Sequence, residues 1–237
     1  MKVDEQADKY CVIIPGYMEV GRIGRVVEGI RKYCNNVVVI DDGSSDNTSV
    51  EAKNAGAVVI KHEANQGKGA SLYDGFKYAR EHGFDFVITM DADGQHDPED
   101  IPVFTRVYSG ADTQVLIGNR MSNPACMPLI RRWTNLFMSW LLCRKMGQLI
   151  PDTQCGYRLY RCDVLKGISI LSRHFEAESE ILLRLSDKGI RIGSIPIKVV
   201  YRDEKSKIHP VRDTIRFFTM LMKYDSKQTS LHNLQGS

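Results

Sequence analysis

No two of the six cysteines, Cys11, Cys34, Cys126, Cys143, Cys155 and Cys162, are spaced as CxxC. Neither a thiolate zinc site nor a dense disulfide framework is encoded, and a reducing, cytoplasmic setting is expected. Long apolar runs are missing too. The richest stretch, residues 133–143, is broken by Thr134, Asn135 and Ser139 and falls short of the roughly 20 residues a spanning helix needs. Acidic and polar residues precede the first strand, so no signal-peptide core is expected. Charge of one sign is not in excess: 32 Lys+Arg against 29 Asp+Glu leave +3, too little to draw nucleic acid by bulk charge. The glycines at 16, 21 and 24 do not make GxGxxG, and Gly67-Lys68-Gly69 lacks the earlier glycine and the Ser/Thr of a P-loop. Dinucleotide oxidoreductase and P-loop readings fail at their own signatures.

What is present is an ordinary globular composition, 43% hydrophobic and 26% charged, in a chain long enough to bury a substantial core. Short β-branched runs at 10–14, 37–41, 58–61, 86–91 and 115–118 alternate with helical patterns at about 24–33, 46–55 and 68–82. That alternation predicts a βαβ series and a mainly parallel, doubly wound sheet flanked by helices. Asp97 before Pro98 marks the start of the next helix. Beyond residue 124 the pattern predicts a long helix at 129–147, a strand near 157–160, a helix at 176–188, strands at 191–195 and 197–201, and a helix after Pro210. No repeat or linker interrupts the chain. One domain over residues 1–225 is expected, with a nucleotide-binding half at about 9–120, an acceptor half at about 121–225 and a flexible tail at 226–237.

Three strand ends carry the chemistry. Asp91 and Asp93, two apart at the end of an apolar strand, would point to one face and offer oxygen ligands suited to Mg²⁺ or Mn²⁺. In Asp41-Asp42-Gly43-Ser44-Ser45-Asp46, Ser45 or Asp46 can cap the next helix, which leaves Asp42 free to accept from a nucleobase or a ribose. Pro15, Tyr17 and Glu19 leave the first strand at the same edge.

These segments, IIPGYME, VVVIDDGSSDNT, NQGKG and MDADGQHDPEDIP, resemble the consecutive N-terminal motifs of family 2 glycosyltransferases with the GT-A fold, especially the dolichyl- or polyprenyl-phosphate mannose and glucose synthases. Gly118-Asn119-Arg120, the segment from Asp152 to Arg158 and that from Arg173 to Glu178 are similar to later motifs of that branch. Gly16, Met18 and Glu176 depart from it. The resemblance implies an inverting transfer of a hexose from a UDP- or GDP-sugar to a polyprenyl phosphate. It implies a nucleoside held by Pro15, Tyr17, Glu19 and Asp42, with Lys68 near the ribose or phosphates. Asp91, Asp93 and Gln95 would hold the metal and the diphosphate, and Arg120 and Arg131 would face phosphates. The segment around Arg202 would close over the donor. The alternative is transfer to a saccharide hydroxyl, which needs a general base; Glu178 and Glu176 are the candidates.

The helix at 129–147 places Leu129, Trp133, Leu136, Phe137, Trp140 and Leu141 at helical spacing beside Arg131, Arg132 and Lys145. Such a stripe either faces the core or lies in a membrane interface. A second basic amphipathic segment after Pro210 favours a peripheral place on the membrane.

Overall fold

Runs of Val and Ile without polar alternation form strands covered on both faces, and two of them lie side by side in the interior of the sheet. In β1 (Tyr10–Gly16) and β2 (Val37–Asp41) nearly every residue is buried, and the strands pair in parallel from Val12 opposite Val37 to Gly16 opposite Asp41. The structure, a computed structural model, describes residues 9–110, 113–122, 127–198 and 210–235, with side chains of the last segment described from Arg212 to Asp225. Between β1 and β2, α1 (Ile23–Ile30) buries Ile23, Val26, Val27 and Ile30, an i, i+3, i+4, i+7 face. Helix α2 (Thr48–Asn54) leads on to β3 (Val58–Lys61), a partly exposed edge strand beside β2.

The chain then returns through α3 (Lys68–Glu81) to β4 (Phe86–Thr89), which pairs with the other side of β1. Strand order reverses between β1 and β4. In open α/β sheets a ligand sits in the crevice beyond the strand ends at that reversal, which is where the segments after Gly16 and Thr89 lie.

Asp97 sets the next start, its Oδ1 accepting from the Glu99 amide at 3.0 Å ahead of a 3₁₀ turn over Pro98–Asp100 and α4 (Ile101–Gly110). Then come β5 (Val115–Asn119), α5 (Leu129–Met146), β6 (Arg158–Arg161), α6 (Glu176–Asp187), β7 (Ile192–Pro196) and α7 (Pro210–Gln235). The seven strands make one sheet in the order β3-β2-β1-β4-β6-β5-β7. Its pairings are parallel except those of β6, which runs against both β4 and β5. A smaller core away from the sheet joins Met138 and Leu142 of α5, Leu183 of α6, and Phe217, Met220 and Leu221 of α7.

This is the mainly parallel GT-A architecture in a single domain, with three departures from the sequence reading. β4 stops at Thr89, so Asp91 and Asp93 lie in a turn and are brought together by it, not by the alternation of an extended strand. Of the two C-terminal strands, β7 supplies one; Ile197 and Lys198 lie beyond it, and 199–201 fall outside the described residues. Helical backbone continues to Gln235 where a tail is expected from 226, because no Gly or Pro interrupts the chain before Gly236.

Candidate functional site

A pocket opens at the reversal point. Pro15, Tyr17 and Glu19 reach it from the end of β1, Asp42 from β2, Lys68 from the first residue of α3, and Asp91, Asp93 and Gln95 from the turn after β4. Arg120 enters after β5, Arg131 from the first turn of α5 and Glu178 from the first turn of α6. The fold thus gathers eleven of the expected site residues around one cavity. Arg202 lies outside the described residues. His96, Gln154, His174 and Phe175 line the same cavity without having been expected.

Asp42 is not the free acceptor that the sequence suggests. It is 4% exposed; its Oδ1 accepts from His62 Nδ1 and from the Gln66 amide, and its Oδ2 from the Gly67 amide, each at 2.8 Å. His62 Nε2 is bonded in turn to Asp74 at 3.1 Å. The carboxylate therefore shapes the segment 62–67 that walls the pocket. Asp42→Ala would leave buried donors unpaired, at a cost of about 2 kcal/mol or more. A fall in the melting temperature together with weaker nucleotide binding is expected; an unchanged melt would assign Asp42 to the ligand alone. The N-cap of α2 is neither Ser45 nor Asp46 but Asn47, whose side chain makes no capping bond; Asp46, one residue earlier, accepts from the Thr48 amide at 3.0 Å. Met18 stands at φ +56°, where a side chain other than Asn or Asp is uncommon; its amide is held by Ser44 Oγ at 2.9 Å.

The turn after β4 concentrates charge. Asp93 Oδ1 accepts from the Gln95 amide at 2.9 Å, and the Asp91 amide donates to His96 Nδ1 at 3.2 Å. Lys68 Nζ lies 2.6 Å from Asp91 Oδ1 and 3.1 Å from Glu178 Oε2. Burial opposes the charge of Asp91, but Lys68, then His96, outweigh it and hold the carboxyl well below the usual range. Burial likewise opposes the Lys68 ammonium, and Asp91 and Glu178 hold it above its ordinary value. For Asp93, burial and then the neighbouring Asp91 push the carboxyl up. Burial pushes His96 down.

The segment 152–158 sets the far wall. A Cβ on Gly156 would stand 2.7 and 2.9 Å from the two carboxylate oxygens of Asp91 and 3.0 Å from Glu178 Oε1, so only glycine lets both acids close over this backbone. Arg158, fully buried, donates through Nε to the Cys155 carbonyl at 2.6 Å, through Nη2 to that of Thr153 at 2.9 Å and through Nη1 to that of Glu178 at 2.8 Å. Arg120 has its Nε and Nη2 on Asp152 at 2.7 and 3.0 Å, so two donors of the fork expected to meet phosphate are already committed. Nη1 has no hydrogen-bond partner among the described residues.

The acids of α6 separate by role. Glu176 accepts from the His174 amide at 3.3 Å, and Glu180 from the amides of Leu171 and Ser172 and from Arg184, so both are loop-holding groups. Glu178 alone among the three faces the pocket.

On α5 the stripe faces outward. Trp133 is 72% and Trp140 56% exposed, while Met138, Ser139 and Leu142 are the helix's buried residues. Phe137 lies 6.1 Å from Trp140 and 6.4 Å from Phe218 of α7, ring centre to ring centre. Ile215, Phe218 and Met222, on one side of α7, are exposed as well. No helix among the described residues is long and apolar enough to cross a membrane.

The doubly wound sheet thus brings paired carboxylates and a lysine at its order reversal together with arginines from after β5 and from α5 around one cavity. The model of the glycosyl transferase family 2 matches residues 11–169. The chain is 33% identical to a UDP-N-acetylglucosamine–dolichyl-phosphate N-acetylglucosaminyltransferase of Methanococcus voltae, over 83% of this chain and 88% of that one. It is 29% identical to an undecaprenyl-phosphate mannosyltransferase of Micrococcus luteus, over 82% and 85%. A crystal structure of glucosyl-3-phosphoglycerate synthase from Mycobacterium tuberculosis, in complex with Mn²⁺, UDP and phosphoglyceric acid, shares the fold with a TM-score of 0.66 at 19% identity, over 84% of this chain and 72% of that one. This chain belongs to glycosyltransferase family 2 and is similar to members named as polyprenyl-phosphate sugar transferases.

Proposed function

We propose that the protein transfers a hexose from a UDP- or GDP-sugar to a polyprenyl phosphate, inverting the anomeric carbon, at a membrane surface. The half at about 9–120 binds the donor and that at about 121–225 the acceptor. Pro15, Tyr17, Glu19 and Asp42 bound the nucleoside end of the pocket.

The turn after β4 fits a divalent cation. Asp93 is an acid held near a second acid, with one backbone donor among the described residues for compensation, an arrangement that a cation would relieve. Asp91, Asp93 and Gln95 would hold Mg²⁺ or Mn²⁺. No three His, Cys, Asp or Glu side chains among the described residues close on one point; Mg²⁺ characteristically takes one or two carboxylates and completes its shell with water and phosphate oxygens. When bound, the ion neutralises charge developing on the leaving diphosphate. Arg131 and Nη1 of Arg120 address phosphate from the other side. A phosphate monoester is already anionic near neutral pH, so its oxygen needs orientation more than deprotonation. Glu178, ion-paired to Lys68, is then an electrostatic support and not an obligatory base.

The lipid acceptor rests on one observation: the aromatic face of α5 is exposed and starts at Trp133, two residues after Arg131 at the pocket. Arg132, Arg144, Arg212 and Lys223 flank it on α5 and α7, the composition of a helix pair lying on an anionic interface. Replacing both Trp133 and Trp140 by Ser should lower binding to anionic vesicles, and transfer to a long-chain polyprenyl phosphate, by about tenfold or more. Transfer to a short, soluble phosphate acceptor and the thermal melt should not change. Equal losses on both acceptors would overturn the lipid assignment, and a panel of UDP- and GDP-sugars with and without polyprenyl phosphate identifies the donor.

A further inference from the structure

Lys68 occupies the position on Asp91 where a cation is wanted before any ligand arrives. Its Nζ touches Asp91 at 2.6 Å and Glu178 at 3.1 Å, and the Phe175 ring lies 5.5 Å from it. Over Gly156 the two carboxylates close together. Without a positive charge between them they would repel.

The backbone that carries this lysine is pinned. The Gly69 amide donates to the Arg173 carbonyl at 2.9 Å, and a Cβ on Gly67 would strike that carbonyl, as one on Gly69 would strike that of Ser172. Gly67 has φ +96°, open to glycine and strained for other residues. Glu180 in turn holds the Leu171 and Ser172 amides. The ammonium can therefore change partners only by swinging its own four-carbon stem.

We infer that Lys68 is a resident counter-ion. It neutralises Asp91 and Glu178 in the ligand-free protein and yields Asp91 when the donor diphosphate and its divalent ion bind, so that metal and sugar nucleotide bind as a unit. The inference rests on the reading of Asp91 and Asp93 as the metal-holding pair. A divalent ion approaching the empty site meets an ammonium already bonded to its ligand. A diphosphate brings the negative charge that takes the ammonium over. Binding of the two is then positively coupled through Lys68, which acts as a positioning residue.

The test is Mn²⁺ binding in the absence of nucleotide, read from the paramagnetic resonance signal of the free ion, for the wild type, Lys68→Met and Lys68→Arg. Lys68→Met should bind Mn²⁺ about tenfold or more tightly than the wild type, and Lys68→Arg should resemble the wild type. In EDTA, Lys68→Met should melt below the wild type, and Mn²⁺ should close that gap. Mn²⁺ binding to Lys68→Met no tighter than to the wild type, while UDP or GDP still promotes Mn²⁺ binding to the wild type, overturns the counter-ion. Wild type that takes up no Mn²⁺ even with UDP or GDP overturns the metal reading itself, a separate result. Lys68→Gln replaces Lys68→Met if the latter does not fold, and failure of both to fold would give the lysine a structural role and overturn the inference.

Discussion

Asp93→Asn is expected to abolish sugar transfer and leave the thermal melt in place. Among the described residues the side chain accepts a single hydrogen bond, from the Gln95 amide, and the amide oxygen of Asn can accept it equally. It lies in a turn at the sheet edge, half-buried, not in the core. Burial and Asp91 already push its carboxyl up, so removing the charge relieves repulsion in the empty protein. The loss falls on the loaded state, where one of two anionic ligands would be missing and the leaving diphosphate would be poorly neutralised. A drop in turnover of about a thousandfold is on the scale of such electrostatic terms. Steady-state transfer in excess Mn²⁺, with and without EDTA, measures it. Activity within about tenfold of wild type, or full activity in EDTA, would remove the metal from the reaction.

Arg158→Met should be the most damaging single change to the fold near the site. The guanidinium is fully buried and bonded to three backbone carbonyls, those of Thr153, Cys155 and Glu178, and to the Tyr160 hydroxyl at 3.1 Å. Methionine fills similar space but satisfies none of them. Stranding several buried acceptors costs about 3–5 kcal/mol, or about 10 °C in melting temperature for a domain of this size. Because those carbonyls tie the segment below Gly156 to the first turn of α6, Glu178 and Lys68 would lose register as well. A calorimetric melt within a few degrees of wild type would show that this arginine is dispensable.

The strands were the most legible part of the sequence, because a buried parallel strand must be a run of apolar β-branched residues: 37–41 is the observed β2, and the same composition marks 58–61, the observed edge strand β3. The direction of β6 was not legible, since four residues carry no mark of which way they run. The site residues could be found because their strand ends converge on one edge, but their partners could not. Asp42 reads as free when only its neighbours in sequence are counted; its actual donors, His62 and the amides of Gln66 and Gly67, come from beyond β3. Arg120 reads as a phosphate fork until Asp152, 32 positions on, takes two of its donors. On α5 the spacing gives the stripe and not the side it faces, because a core-facing and a membrane-facing helix share one period. His96, fixed by the amide of Asp91, was printed inside the motif and had no signal to separate it from a turn residue.

The reversed strand β6 has a bearing on how this family can diversify. β5 ends and β6 begins at the same edge of the sheet, so the excursion between them leaves from the pocket and returns to it without traversing a face. A parallel connection would need a crossover helix lying on the sheet with an apolar side committed to covering it. Freed of that duty, α5 can spend its large side chains outward, and the stretch between β5 and β6 can lengthen, shorten or change its surface without rethreading any other strand. The rim that Arg120, Arg131 and Gln154 contribute to the pocket is thus carried by an excursion separable from the frame that carries Pro15, Asp42 and Asp91.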